Sequence, residues 1–196
     1  MLELILASGN PHKAEEFAEL FQGKIQVAPA PAALEPEESG ESYLENALIK
    51  ARSYYDAFKR PALADDSGLS VDALPELLGV RSARFCPDKP SYADKCRELL
   101  RLLDEGQLER AAHFTCVLCF YLSPDEIYFF EGRVHGQIGR VLKGEHGFGY
   151  DPIFVPTRNE EDGKSLAELP EWKNQNSHRA KAVREALQFF QKSGMT

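Results

Sequence analysis

The chain has 196 residues, enough to bury a substantial core in a single domain, and its 43% hydrophobic and 28% charged content is ordinary for a folded globular protein. A formal net charge of −8 argues against non-specific attachment to nucleic acid or to an anionic membrane, so any local grouping of lysine and arginine becomes informative. No apolar stretch approaches a membrane span and Met1-Leu2-Glu3 carries no basic leader, which sets the expectation of a cytoplasmic protein without a membrane partner.

In chain order, residues 2–7 read as a buried strand and 11–21 as a helix, with Asn10 as its cap and Pro11 at its first position. A second strand is expected over 25–28, followed by a loop over 29–40 rich in proline, alanine and glutamate. Ser42 and Glu45 form an S-x-x-E capping box ahead of a helix running to about Lys59, whose stripe of Leu44, Ala47, Leu48, Ala51, Tyr55 and Phe58 has the helical period. Short strands are predicted at 62–64 and 69–71, with Asp65 and Asp66 between them, and a helix over 92–103. Two β-rich runs, 113–122 and 127–138, flank Ser123-Pro124-Asp125-Glu126 and predict a long antiparallel hairpin. A short strand at 153–155 and a last helix over 177–191 complete an α/β or α+β fold around a mixed sheet, in one domain spanning 1–196.

Cys116 and Cys119 form a C-x-x-C, but inside the run Phe114-Thr115-Cys116-Val117-Leu118-Cys119-Phe120-Tyr121. A spacing of three on a strand sends the two thiols to opposite faces, and no second pair completes a metal set, so these cysteines read as small buried apolar residues.

Four segments carry chemistry. Lys13 falls in the first turn of its helix, where the dipole disfavours a cation unless an anion docks at the same end. Ala64-Asp65-Asp66-Ser67-Gly68 places two carboxylates beside an apolar run, and Glu35-Pro36-Glu37-Glu38 brings further acids; such oxygens suit Mg²⁺ better than zinc. The plain alternative is a polar turn and solvated loop charges. Glycines on both sides of Phe148 permit close backbone approach, leaving its ring to stack on a base or to pack in the core. Ser177-His178-Arg179 opens the last helix, where both side chains can donate to an oxygen or simply face solvent.

Taken together, SGNPHK, EESGESYLENALIKA, ADDSGL, GVRSARF, HFTC, GFGYDPIF, GKSLAEL and SHRAKA resemble the inosine/xanthosine triphosphate pyrophosphatase family over residues 4 to about 183. The resemblance implies two lobes of a mixed sheet around an active-site cleft, usually in a homodimer. It also implies Mg²⁺-dependent hydrolysis of deaminated purine nucleoside triphosphates (ITP, dITP, XTP) to the monophosphate and pyrophosphate. By position, Asp66 matches the family's proton acceptor and metal ligand, and Glu38 its second acidic ligand. Ser8, Gly9, Asn10, Pro11, His12 and Lys13 match its triphosphate loop, with Lys50 and Ser67 close by. Phe148, Gly149, Tyr150, Asp151, Lys173, His178 and Arg179 match its substrate-contacting positions. The chain departs from the family at Glu145 and His146, where the loop is commonly G-T-G-G, and at Asn176, where an apolar residue is usual. Maf-like pyrophosphatases are the nearest rival, but their S-x-x-R-R loop is absent. A nucleotide-binding regulator without turnover would lack the acidic centre, and Glu38, Asp65 and Asp66 are all present.

Overall fold

The computed structural model describes residues 2–9, 11–89, 91–157 and 163–195, with only the backbone given for Pro11 and His12. Asn10, expected to cap the first helix and bind phosphate, lies outside the described residues. Six strands, β1 (Glu3–Leu6), β2 (Gln26–Pro29), β3 (Ala62–Val71), β4 (Ala111–Ser123), β5 (Glu126–Ile138) and β6 (Phe154–Pro156), form one sheet in the order β2-β1-β3-β4-β5-β6. β1 runs parallel to β2 and β3, while β5 and β6 are antiparallel, so the sheet is mixed as expected. Pro124 and Asp125 alone join β4 to β5, a connection short enough only for antiparallel neighbours.

The helices are α1 (Pro11–Phe21), α2 (Tyr43–Phe58), α3 (Tyr92–Glu105), α4 (Pro170–Asn176) and α5 (His178–Lys192). The capping box of α2 is formed: the Ser42 hydroxyl accepts from the Glu45 amide at 3.2 Å, and Glu45 accepts from the Ser42 amide at 3.0 Å. α4 has no counterpart in the sequence reading, because seven residues beginning with Pro170 are too few to show a helical period. Ser177 closes α4 rather than sitting inside the last helix.

The chain divides into two compact units: Met1–Ser67 with Cys116–Gly132 and Arg179–Thr196, and Gly68–Thr115 with Arg133–His178. In the first, the period of two along the strands sorts side chains cleanly. Leu4, Leu6, Leu63, Cys116, Leu118 and Phe120 pack with Phe17 and Phe21 of α1 and Ala182, Val183, Ala186 and Phe190 of α5. Ile5, Ala7, Ala62, Ala64, Val117, Cys119 and Tyr121 pack with Ala47, Ala51 and Tyr54 of α2. Cys116 and Cys119 therefore lie in different cores, both as free thiols that burial pushes up to about 12. The second unit has one core, built from α3, the first residues of β4 and the last of β5 and β6, and including Leu99, Leu103, Phe114, Val134 and Phe154.

The two short strands expected at 62–64 and 69–71 are one continuous strand, with Asp65 and Asp66 at its centre rather than in a turn. Two adjacent buried carboxylates are tolerable inside a sheet only if each finds its own compensating cation. The partners of the pair show how that condition is met.

Candidate active site

Asp65 shares the parity of Leu63 and so faces α1 and α5, while Asp66 shares that of Ala64 and faces α2. On its face, Asp65 accepts from Arg179 of α5 through Nε at 3.0 Å and Nη2 at 2.8 Å, both to Oδ2. Lys13 of α1 pairs with Oδ1, the Ser67 hydroxyl donates to Oδ2 at 2.6 Å, and the Cys116 thiol lies 3.8 Å from the same oxygen. Glu16, one turn beyond Lys13, takes Nη1 of Arg179 at 2.8 Å. Burial opposes the charged form of Asp65, but Arg179, Lys13 and Lys50 together hold its carboxyl well below the usual range. Arg179 is among the largest fully buried side chains at 2% exposure, its charge held against burial by Asp65 and Glu16. The solvent-facing reading of Arg179 is thereby overturned.

On the other face, the Lys50 ammonium of α2 lies 2.6 Å from Asp66 Oδ1 and 3.1 Å from Glu38 Oε1. Asp66 Oδ2 is buried and has no hydrogen-bond partner among the described residues. Burial pushes Asp66 up to about 6; attraction to Lys50 opposes this, and repulsion from Glu38 and Asp65 assists it. Burial disfavours the Lys50 charge, yet Asp66, Asp65 and Glu38 outweigh it and raise that group. The lysine thus keeps its proton, and Asp66 is the partner short of stabilisation. Glu38 owes its place to the loop's anchors: Tyr54 Oη accepts from the Leu34 amide at 2.8 Å, and the Gly40 amide donates to Asn46 at 2.9 Å.

A cavity of about 270 Å³ opens at the carboxyl end of β1, lined by Ser8, Gly9, Lys13, Glu38, Lys50 and Asp65 among others. Strand carboxyl ends are where open α/β sheets take ligands. The first unit therefore brings together Ser8, Gly9, Lys13, Glu38, Lys50, Asp66, Ser67 and Arg179 of the expected set. Among the described residues no three His, Cys, Asp or Glu side chains form a ready-made metal cluster. Two carboxylates with one unsatisfied buried oxygen nevertheless suit a hard cation that takes its remaining ligands from water and phosphate, as Mg²⁺ does.

The second unit holds the remaining residues. Gly147 and Gly149 adopt φ of 79° and 65°, and a Cβ on Gly147 would stand 2.3 Å from Asp151 Oδ2, so glycine is required there. That buried carboxylate accepts from the Phe148 amide at 2.8 Å and from Lys173 at 2.7 Å, and the Lys173 ammonium lies 4.6 Å from the centre of the Phe148 ring. Phe148 is 44% exposed, which excludes the core-packing alternative for its ring. Tyr150 is buried and donates to the Ser82 carbonyl at 2.7 Å, and the Cys96 thiol lies 3.6 Å from the Gly149 carbonyl. The His178 ring is 5% exposed and stacks on Phe114 with centroids 4.8 Å apart. The bulky departures Glu145 and His146 are exposed, and Asn176 bonds the Trp172 carbonyl within α4 at 3.0 Å.

Sequence reasoning missed Glu16 and Ser82. The first had a signal in its spacing of three from Lys13 on one helix face. Ser82 lies in the GVRSARF segment that carries the resemblance, but its short 3₁₀ segment (Gly79–Arg84) leaves no periodic trace.

A mixed open sheet with paired carboxylates, lysines and a cavity at a strand end belongs to the class of sites that can take a hard cation beside an anion. The comparisons narrow the class: the Ham1 family model matches residues 4–189, and the chain belongs to the Ham1 family. It is 42% identical over 197 residues to the dITP/XTP pyrophosphatase of Aquifex aeolicus, covering 95% of each chain. The dITP/XTP pyrophosphatase of Geobacillus kaustophilus is 42% identical over 190 residues, covering 93% of this chain and 91% of the relative. Among solved structures, a HAM1 protein from Coxiella burnetii superposes with a TM-score of 0.87 at 35% identity, covering 98% of this chain and all of that one. The Ham1 protein of Staphylococcus aureus gives 0.83 at 34% identity, covering 97% and 99%.

Proposed function

We propose that this chain is a nucleoside triphosphate pyrophosphatase that hydrolyses ITP, dITP and XTP to the monophosphate and pyrophosphate. The observation that carries this reading is the buried, unsatisfied Oδ2 of Asp66 beside Lys50 and Glu38, with Lys13 held by the neighbouring Asp65. In the reaction water attacks the α-phosphorus, the bond from that phosphorus to the bridging oxygen breaks, and pyrophosphate leaves with the bridging oxygen. Asp66 takes a proton from the attacking water. Lys13 and Lys50 balance charge on the phosphates beside the loop at Ser8 and Gly9; by resemblance Asn10, Pro11 and His12 belong to the same loop. Glu38 and Asp66 are the residues that would hold Mg²⁺, which supplies charge neutralisation and a more acidic bound water.

For the base, Phe148 offers an exposed ring backed by Lys173 and set by Gly149, Tyr150 and Asp151, suited to stacking. By resemblance His178 and Arg179 match the donors to the 6-oxo group, which hypoxanthine and xanthine carry where adenine has an amino group; for Arg179 that donation competes with its bonds to Asp65 and Glu16. A buried mismatch of that kind costs ~1–3 kcal/mol, roughly 5- to 150-fold in selectivity. By resemblance the whole chain acts as one domain, in a cytoplasmic homodimer; sedimentation of the purified enzyme tests the dimer. Among the described residues no helix is long and apolar enough to cross a membrane.

The deciding experiment is a turnover panel of ITP, XTP, GTP and ATP with Mg²⁺, assaying pyrophosphate and phosphate separately. Pyrophosphate from ITP and XTP, with little from GTP and ATP, is the expected result. Release of single phosphate would overturn the reaction assigned.

A further inference from the structure

Lys50 stands in an unusual place for a lysine assigned only to phosphate. Its ammonium contacts both carboxylates that the proposed function assigns to the metal, Asp66 at 2.6 Å and Glu38 at 3.1 Å, and its side chain is only 12% exposed. A cation between two carboxylates, one of them buried, is what a divalent ion would be there. We propose that Lys50 is a built-in stand-in for the metal: it occupies the acidic pair in the nucleotide-free enzyme and must leave that pair for the metal to load. This inference rests on the reading of Glu38 and Asp66 as metal ligands.

The physics follows from charge. Glu38 and Asp66 repel one another, and Asp66 is further disfavoured by its neighbour Asp65, whose own charge is committed to Lys13 and Arg179. Without a cation the pair would be held open only at an electrostatic cost, and Lys50 removes that cost. The same contact makes Lys50 a competitor, because an incoming ion must break two ion pairs before it gains its own ligands. A nucleotide changes the balance. Lys50 lines the cavity with Lys13, Ser8 and Gly9, so phosphate oxygens offer its ammonium another anionic partner. Metal binding and nucleotide binding are then coupled: each is weak alone, and each strengthens the other by the same factor. Such an arrangement limits futile capture of free metal and links completion of the acidic site to the presence of substrate.

The test uses the full chain and Mn²⁺ as the probe, counted by loss of the free-ion electron paramagnetic resonance signal. Without nucleotide, Lys50→Met is expected to bind Mn²⁺ roughly 10- to 100-fold more tightly than the wild type, with a correspondingly smaller gain when a non-hydrolysable ITP analogue is added. Lys50→Arg, which keeps the charge, is expected to stay as weak as the wild type. If Lys50→Met binds no more tightly, while Asp66→Asn removes the binding seen in the wild type, the stand-in role is overturned and the metal site survives. If no protein binds Mn²⁺ with or without the analogue, the metal reading itself fails, and this proposal with it. Should Lys50→Met not fold, the Lys50 side-chain ¹⁵N resonance of the wild type, assigned by its absence in Lys50→Arg, carries the test. A shift on titrating Mg²⁺ supports displacement, and a resonance unmoved at saturation overturns it.

Discussion

In the first unit, two neighbouring aspartates on one strand each hold a separate set of cations: Arg179 and Lys13 for Asp65, and Lys50 for Asp66. In the second unit, a single ion pair between Asp151 and Lys173, with one amide hydrogen bond, fixes a loop that presents a ring. The first arrangement manages charge and the second manages shape. Charge requires partners from distant parts of the chain, because each buried ion must be compensated where it stands. Shape needs only backbone conformations open to glycine and one anchor. The same protein therefore gathers buried charges by long-range pairing in one unit and sets out an exposed ring by local turns in the other.

Substitutions separate the two designs. The largest expected effect is at Asp66: Asp66→Asn loses turnover by about 10²–10⁴-fold, the range for a proton acceptor, with an unchanged circular dichroism spectrum. Near-normal activity would remove Asp66 from the chemistry. Next comes Arg179→Ala, which leaves Asp65 and Glu16 without their shared cation and is expected to cost about 3–5 kcal/mol of stability in denaturant titrations, besides its effect on substrate. Stability close to wild type would mean that Lys13 and Ser67 suffice for Asp65. Phe148→Ala falls on the shape side of the comparison. Its ring is exposed, so stability should be kept, while KM for ITP rises by roughly 2- to 10-fold, the worth of a stacked ring. An unchanged KM would place the base elsewhere.

The contrast also explains which parts were legible from the chain. The hairpin, the capping box and the opposed cysteines follow from periods of two and three to four residues, which local sequence records directly. The Phe148 loop was legible through its glycines, because positive φ leaves few alternatives. The Asp65-Asp66 pair reads locally as a break between two short strands, with a polar turn as the plain alternative, since its compensation comes from Lys13, 52 residues away, and Arg179, 114 residues away. No local pattern announces a partner at such distance; only the family motifs placed these residues in one site. His178 and Arg179 are the sharpest case. They are adjacent and polar at a helix start, yet both are buried, one against an aromatic ring and the other against carboxylates.

The smallest effect expected is also the most specific to the charged side. Asp66 is pushed up to about 6, chiefly by burial, against an ordinary value of 3.8. An acid whose pKa rises on folding binds its proton more tightly in the native state, so it favours folding fully below its unfolded pKa. That contribution is lost as pH rises through about 6. In the absence of metal, the Tm of Asp66→Asn relative to wild type should therefore climb between about pH 4 and pH 7, by on the order of a few degrees. Saturating Mg²⁺ should stabilise the wild type selectively, because only the carboxylate offers the ion a charged ligand, and so shrink or reverse the difference. A Tm difference that stays flat with pH would show that Lys50 fully offsets the burial of Asp66, making the acidic pair as well balanced as Asp65 and its partners.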